Sequence, residues 1–530
     1  MANPNWKLLL LRALLIVAAG LWVFAPALHG DWLMDDDLYI TQNVLVNDPA
    51  RLWKIWFAPG SLIEYYPIEA SVQAIQWRLW RLDTLGYHVT NILLHVLGAL
   101  LVWRLLSKFG LRLAWLGGFL FAVHPAVVES VAWISELKNT LSLPFFLLAM
   151  CSWIDYERRR QPRDYLLALG LFLAAMLCKI SMALFPLVIL LYAWWKRGRI
   201  GWSDLKAAAP FFAVSLVLGL TTIWAGDWFR EAHLQSTNPQ QIGGFAARLA
   251  LAGLSISFYF FKCVWPAGML PIYPKWPVNP PSLIQFLPWP ILAGAIGWFW
   301  HKRATWGRHA LLGLGFFLIN LAPFIGFNSA SYMGFTWVMD HFLYLPLIGL
   351  IGVAIAALDS IDGRISILMR RWLAVTIAVV LALLAWESHE YAGVFASPEK
   401  LWAYTIAGNP TSWLAHNNLG DVFLETGRLP AAIEQYEESL QFNPNGVEAH
   451  NNLGLALYQS GRIPEAIENY ELALKRNPHF GVALTNLANA LAQTGQVQQA
   501  IDTYQQALLV NPQDANARAS LAKLQARQKK

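Results

Sequence analysis

Apolar runs of roughly 17–20 residues recur in this chain from Leu8 to Trp386, and each is long enough to cross a bilayer as a helix. Lipid cannot satisfy backbone N–H and C=O groups, so such runs must be helical, and the expected fold is all-α. Only 14% of the 530 residues are charged, against about a quarter in soluble proteins, and 27 are Trp. From about Ser397 the chain turns polar and Asn/Gln-rich. Two domains follow: a multi-span membrane domain over residues 1–390, with about 11 spans, and a soluble domain over 397–528.

The net charge of +6 does not indicate nucleic acid. Its basic clusters (Glu157–Arg160, Lys196–Arg199, His301–Arg303, Arg370–Arg371) sit between apolar segments, where the positive-inside rule expects them. Cys151, Cys178 and Cys263 have no metal-ligand spacing and read as packing residues. Ala25-Pro-Ala27 mimics a signal cleavage site, but an uncleaved first span is expected. In either case residues 29–88 form a large loop on the non-cytoplasmic side. Gly226–Gln241 is expected on that side too. Phe245–Trp265, with Arg248 and Lys262 near its ends and three prolines following, is expected to lie in the interface rather than to cross. Eleven crossings then place the C-terminal domain on the outer, periplasmic face of a bacterial inner membrane, with the acidic loop.

Asn-Pro recurs at 409–410, 443–444, 477–478 and 511–512, a period of 34 residues. In register with it stand Leu419-Gly420, Leu453-Gly454 and Leu487-Ala488, then Ala432, Ala466 and Ala500, then Tyr436, Tyr470 and Tyr504. These are the small and aromatic contacts of paired antiparallel helices, the tetratricopeptide pattern. Three full repeats are expected, with a helix at Glu399–Ala407 before them and one from Ala515 after, forming an α-solenoid. Asn418, Asn452 and Asn486 share one repeat position. Such amides either line a peptide groove, where they can hydrogen-bond an extended backbone, or bridge neighbouring repeats.

Four stretches could carry chemistry. Asp35-Asp36-Asp37 offers adjacent carboxylates on an outward loop; these suit a general base, or a divalent cation, or are simply solvated. Glu64-Tyr-Tyr66-Pro-Ile-Glu69 and Gly86-Tyr-His88-Val-Thr-Asn91-Ile-Leu-Leu-His95 place acidic, aromatic and polar groups around the second span. His124-Pro-Ala-Val-Val-Glu129 through Ser135-Glu136-Leu-Lys138-Asn139 is very polar for a loop between spans. Lys138, His124 and Lys179 can supply positive charge to a phosphate leaving group; snorkelling is the alternative for the lysines. Lys262, Tyr273 and Asp340-His341 lie at other outer edges. No Gly-rich phosphate loop suggests a nucleotide-driven pump.

Together these motifs, with Pro271-Ile-Tyr273-Pro and Tyr344-Leu-Pro346-Leu-Ile-Gly, resemble the bacterial relatives of the transmembrane-and-tetratricopeptide O-mannosyltransferases, which have the GT-C membrane glycosyltransferase fold. The resemblance implies inverting transfer of a sugar, such as mannose, from a polyprenyl-phosphate donor to an acceptor hydroxyl, commonly protein Ser or Thr, on the non-cytoplasmic face. It implies Asp35 as base with Asp36 as its partner, and donor-phosphate contacts from Lys138, His124 and Lys179. Sugar and acceptor contacts fall to Asp37, Asn91, His88, Glu129, Glu136 and Tyr66. No metal is required by that chemistry, although a divalent ion at Asp35/Asp36 is an open alternative. The chain departs from the pattern at Met34, where an aromatic often stands, and at Asp340-His341-Phe342, where relatives tend to have Asp-Arg-Tyr. The competing readings are a lipid or cell-wall glycan acceptor, and a non-catalytic scaffold that assembles envelope proteins through its repeats.

Overall fold

The computed structural model describes residues 6–233, 242–327 and 330–528; residues 234–241 of the expected Gly226–Gln241 loop lie outside them. The chain forms two compact units, Met1–Ser397 and Pro398–Lys530. Among the described residues the regular elements are all helical.

Among the described residues of the first unit, eight helices are long and apolar enough to cross a bilayer, or nine if the pair Ala114–Val123 and Pro125–Ala132, bent by 61°, is one span. The bend falls at His124, whose extended backbone (φ −78°, ψ 129°) is what a residue before proline prefers. Three more apolar helices, Pro162–Cys178, Gly307–Leu321 and Leu347–Asp362, have 17, 15 and 16 residues. At 1.5 Å per residue they are about 22–26 Å long, short of the ~30 Å hydrocarbon core. Ile134–Arg159 is 72% buried along its most apolar stretch and Leu85–Lys108 56%, whereas Leu283–His301 and Ile367–Val394 bury none of theirs. The first two therefore form the centre of the bundle, and what they carry at their ends is enclosed by protein.

Those two ends differ in charge. At one end Lys108 pairs with Asp155 (2.6 Å), Arg112 with Asp359 (3.1 Å) and Arg197 with Glu157 and Asp204. The basic clusters read from the sequence gather here, as the positive-inside rule expects. An apolar cavity of about 130 Å³ at this end, lined by residues such as Leu105, Phe109, Tyr192, Trp195 and His309, contains no carboxylate. The opposite end holds the Asp31–Leu85 loop, the His124–Asn139 segment, Lys179 and residues 330–344.

Phe245–Val264 has both its ends fastened at this second end. Arg248 donates to the Phe327 carbonyl, close to Phe324, whose ring stacks on Phe342 at 4.1 Å. At the other terminus the Cys263 carbonyl bonds His124 Nε2 at 3.1 Å. The unit also finishes here: the Asp31 N–H donates to the Ala396 carbonyl at 3.3 Å.

The second unit is an α-solenoid of helix pairs, Trp413–Glu425 with Leu429–Phe442, Val447–Gln459 with Ile463–Arg476, and Gly481–Gln493 with Val497–Val510, flanked by Pro398–Gly408 and Ala515–Gln528. Tyr436, Tyr470 and Tyr504 are almost completely buried between helices. A Cβ on Gly420 or Gly454 would come within 2.7 Å of the Tyr436 or Tyr470 ring, so glycine there is a packing requirement. The turn within each pair is made by Gly427, Gly461 and Gly495, all with φ between 72° and 82°.

Candidate active site

Three consecutive aspartates meet three different environments. Asp36 is fully buried. Its Oδ2 accepts the Leu33 N–H at 2.8 Å; its Oδ1 accepts the Ser135 N–H at 2.8 Å and the Ser135 hydroxyl. Burial pushes its carboxyl up to about 7, against the pull of those hydrogen bonds. Asp37 is exposed, and its carboxylate accepts the Thr41 hydroxyl at 2.5 Å. Asp35 is also exposed, and among the described residues no hydrogen bond reaches its carboxylate. Solvent touches Asp35, but protein surrounds it at longer range, and this desolvation raises its pKa. Lys138 opposes the shift, whereas Glu136 and Glu64 add to it. Met34, just before, has φ 45°, a left-handed conformation that costs a side-chain-bearing residue energy. The residues after it, Asp37–Thr41, form one wide π-helical turn. Together these turn Asp36 inward and leave Asp35 outward.

Asp35 faces a polar cluster. Lys138 Nζ lies 3.3 Å from Glu64 Oε2 and 3.6 Å from Glu136 Oε1, and 5.0 Å above the Tyr39 ring. Buried Lys179 donates to Asn139 Oδ1 at 2.6 Å and lies 3.8 Å from Glu136 Oε2, which also accepts from Asn139. The Glu64 carboxylate accepts the hydroxyls of Tyr39 (3.2 Å) and Tyr66 (3.3 Å). Asp35, Tyr66, Glu136, Lys138 and Lys179 are thus brought into one neighbourhood.

Other expected residues are spent on the framework. Asn91 donates to the Trp133 and Ile134 carbonyls (3.2 and 3.3 Å) and accepts from Thr140 (3.2 Å). His88 Nε2 bonds the Gly30 carbonyl at 3.3 Å, and His95 bonds the Tyr344 hydroxyl and the Ala122 carbonyl. His124 Nδ1 accepts the Ala126 N–H at 3.2 Å, so Nε2 carries the proton and donates to Cys263. That histidine is neutral and has no nitrogen left for a phosphate.

Pairings that sequence spacing did not reveal complete the site. Glu129, fully buried, accepts both His341 Nδ1 (2.9 Å) and the His341 backbone N–H (3.1 Å). This leaves Nε2 as the free end of the ring. Asp340 accepts the Tyr273 hydroxyl at 2.8 Å, and burial raises its pKa well above the ordinary carboxylate value. Glu64 was legible as part of an acidic-aromatic patch, but not as its hub. Both Asp36 oxygens are taken by N–H and O–H donors, so Asp36 is poorly placed to share a cation with Asp35. Among the described residues no three or more His, Cys, Asp or Glu are grouped to hold a metal.

In the repeat unit, Asn452 donates to Asp421 Oδ1 of the preceding repeat at 2.9 Å, and Asn486 to Asn451 Oδ1 at 3.0 Å. Asn418 Oδ1 accepts from Asn417. Asn452 and Asn486 therefore bridge neighbouring repeats, whereas Asn418 bonds within its own helix.

A helical membrane unit joined to tetratricopeptide repeats is the class that the comparisons return. Residues 68–224 match the family model described as dolichyl-phosphate-mannose-protein mannosyltransferase, and residues 420–461 and 457–524 match tetratricopeptide-repeat models. The chain is a relative of the TMTC protein O-mannosyl-transferases. It is 24% identical to human TMTC4 over 82% of this chain and 66% of that protein. It is 28% identical to Caenorhabditis elegans F38B6.6 over 26% and 22%, and 32% identical to Drosophila melanogaster Tmtc1 over 26% and 16%. The chain thus spans just under two thirds of TMTC4 and less of the others.

Proposed function

We propose that this protein is a membrane glycosyltransferase that moves mannose, or a similar hexose, from a polyprenyl-phosphate donor to a Ser or Thr hydroxyl of a protein. The observation that carries this reading is the free carboxylate of Asp35 facing the Lys138 cluster. Asp35 takes the proton of the acceptor hydroxyl as its oxygen attacks the anomeric carbon. The bond from that carbon to the phosphate oxygen breaks on the opposite face, and its electron pair leaves with the phosphate, which inverts the centre. Lys138 and Lys179 neutralise the charge that builds there. Asp36 positions the loop rather than reacting. No step needs a metal ion.

Reaction on the outer face agrees with the gathering of the basic clusters at the other end of the bundle. Phe245–Val264 is itself long and apolar enough to cross, but the fastening of both its ends on the acidic side supports the interfacial reading. The first unit also finishes beside Asp31, which supports emergence of the repeats on the side of the acidic loop, where they would bind the acceptor or a partner. Envelope proteins from a deletion strain complemented with wild type or Asp35→Asn test the reading by mass spectrometry. Hexose-bearing Ser/Thr peptides with wild type alone are expected. Identical profiles, with both chains well expressed, would reject protein O-glycosylation.

A further inference from the structure

Three donors converge on Glu64: the Nζ of Lys138 and the hydroxyls of Tyr39 and Tyr66. One ammonium and two phenols around a single point form a receptor for an oxyanion. Tyr66 is buried and Lys138 14% exposed, so the receptor is walled by protein, whereas the Glu64 side chain that fills it is 35% exposed. The fit is loose. Its three contacts measure 3.2–3.3 Å, while hydroxyl–oxygen bonds usually close to about 2.7–2.8 Å and charged N–H bonds to about 2.7–2.9 Å. Lys108 and Asp155, at the other end of the same bundle, do close, to 2.6 Å.

Glu64 also sits where the backbone is least constrained, in a bend between the 3-10 turn Pro59–Ser61 and the helix that starts at Pro67. Its side chain can leave without breaking a helix. Lys138 stays in place when it does, because Glu136 holds it from the other side at 3.6 Å.

We propose that Glu64 is an internal stand-in for the anion this site binds: its carboxylate occupies the seat of a phosphate group, and the donor enters by displacing it toward solvent. This rests on Lys138 being a donor-phosphate contact of the reaction above. The exchange relieves charge crowding. Glu64 and Glu136 already contact Lys138 and Asp35 lies nearby, so a further anion is seated most favourably if one carboxylate withdraws. Glu136 is buried against Lys179 and Asn139 and Asp35 makes no contact with Lys138, so Glu64 is the group able to move. The empty enzyme keeps its lysine and both tyrosines oriented, at the cost of a weaker apparent affinity.

The two possible roles of Glu64 predict effects of opposite sign. A residue that only positions Lys138 would weaken phosphate binding when altered; a competitor strengthens it. The full-length protein in detergent is titrated calorimetrically with two probes, inorganic phosphate and farnesyl phosphate, at constant ionic strength. Glu64→Gln still accepts from the tyrosines but no longer competes as an anion. It should bind farnesyl phosphate on the order of tenfold more tightly than wild type, the scale of one charge-assisted hydrogen bond. Glu64→Ala should do the same, and Lys138→Gln should abolish the gain. A gain for both probes assigns the seat to phosphate in general; a gain for farnesyl phosphate alone assigns it to a lipid phosphate. Binding that depends on Lys138 but is unchanged or weaker in Glu64→Gln would overturn the displacement and leave the glycosyltransferase reading standing. Farnesyl phosphate binding that is indifferent to Lys138, or absent from every variant, would overturn both.

Discussion

Asp35 and Asp36 are adjacent and chemically identical, yet replacing each by Asn should have opposite consequences. The Asp35 carboxylate is exposed and unbonded, so Asp35→Asn should change stability by less than about 0.5 kcal/mol, as at other surface positions without partners. It removes the group proposed to take the acceptor proton, and transfer should fall by about 10²–10⁴-fold. Asp36 is buried with three donors aimed at it. In Asp36→Asn the amide oxygen can still serve Ser135, but the NH2 then faces the Leu33 N–H and leaves a buried donor unsatisfied, a loss of about 1–3 kcal/mol. Asp36→Ala strands all three and should cost more. Thermal unfolding in detergent gives the stabilities, and mannosyl transfer from a lipid donor to a peptide gives the rates. Each rate is taken well below the variant's melting temperature, so that unfolding does not masquerade as lost chemistry. A loss of stability in Asp35→Asn equal to that in Asp36→Asn would refute the division of roles. So would Asp36→Asn losing all activity with its melting temperature unchanged.

Other consequences follow from packing and charge. Burial raises the Glu69 carboxyl to about 8, so the folded protein binds a proton that the unfolded chain releases near its ordinary value of 4.5. Stability from this site is therefore lost as pH rises through that window, at up to about 1.4 kcal/mol per unit. Asp36 adds its own loss below about 7. Between pH 7 and 8 Glu69 still contributes while Asp36 no longer does, and Glu69→Gln should lessen the fall of the melting temperature there. In the repeats, Gly420→Ala or Gly454→Ala pushes a methyl into Tyr436 or Tyr470 and should cost about 1–3 kcal/mol, whereas Ala488→Gly, where the third repeat already carries the methyl, should cost about 1. Hydrogen exchange localised to the affected helix pair would report both. Asn452→Ala removes the bond to Asp421 of the preceding repeat and should lower stability by about 0.5–1.5 kcal/mol. An unchanged repeat stability with reduced peptide capture would instead return that amide to a peptide groove.

The parts legible in the sequence are those with a period. Apolar runs announce helices, and the 34-residue repeat gives helix pairs with the small and aromatic contacts in register. The site has no period, and its pairings span long stretches of chain: Asp36 with Ser135 across 99 residues, and Glu129 with His341 across 212. Polar residues at the top of a membrane helix suit substrate contact and framework equally well by type. Asn91, His88 and His124 proved to hold carbonyls of neighbouring segments. The resemblance names Asp35 as base, but residue type alone does not rank the aspartates, because their difference lies in backbone conformation, the left-handed turn at Met34 and the wide turn from Asp37. No residue type at those positions predicts that geometry. Likewise Asn452 and Asn486 share a repeat position, but whether such amides face a ligand or the next repeat depends on spacing between helices.

The junction at Asp36 has a mechanical consequence for catalysis. Ser135, which supplies two of its three donors, immediately precedes Glu136 and lies three residues before Lys138. The segment that anchors the loop of the proposed base therefore also carries the charges assigned to the leaving group. The separation between Asp35 and Lys138 is set by one short hydrogen-bonded junction and by the turn at Met34. Small shifts of the outer helices should barely change it, because Leu283–His301 and Ile367–Val394 bury none of their most apolar stretch. Ser135 is the sensitive point. Ser135→Ala removes one donor from Asp36 but keeps the backbone N–H, so the loop should stay attached while gaining freedom. Its effect should appear in the turnover rate more than in stability, since a proton acceptor loosened by a fraction of an ångström loses rate before it loses its fold.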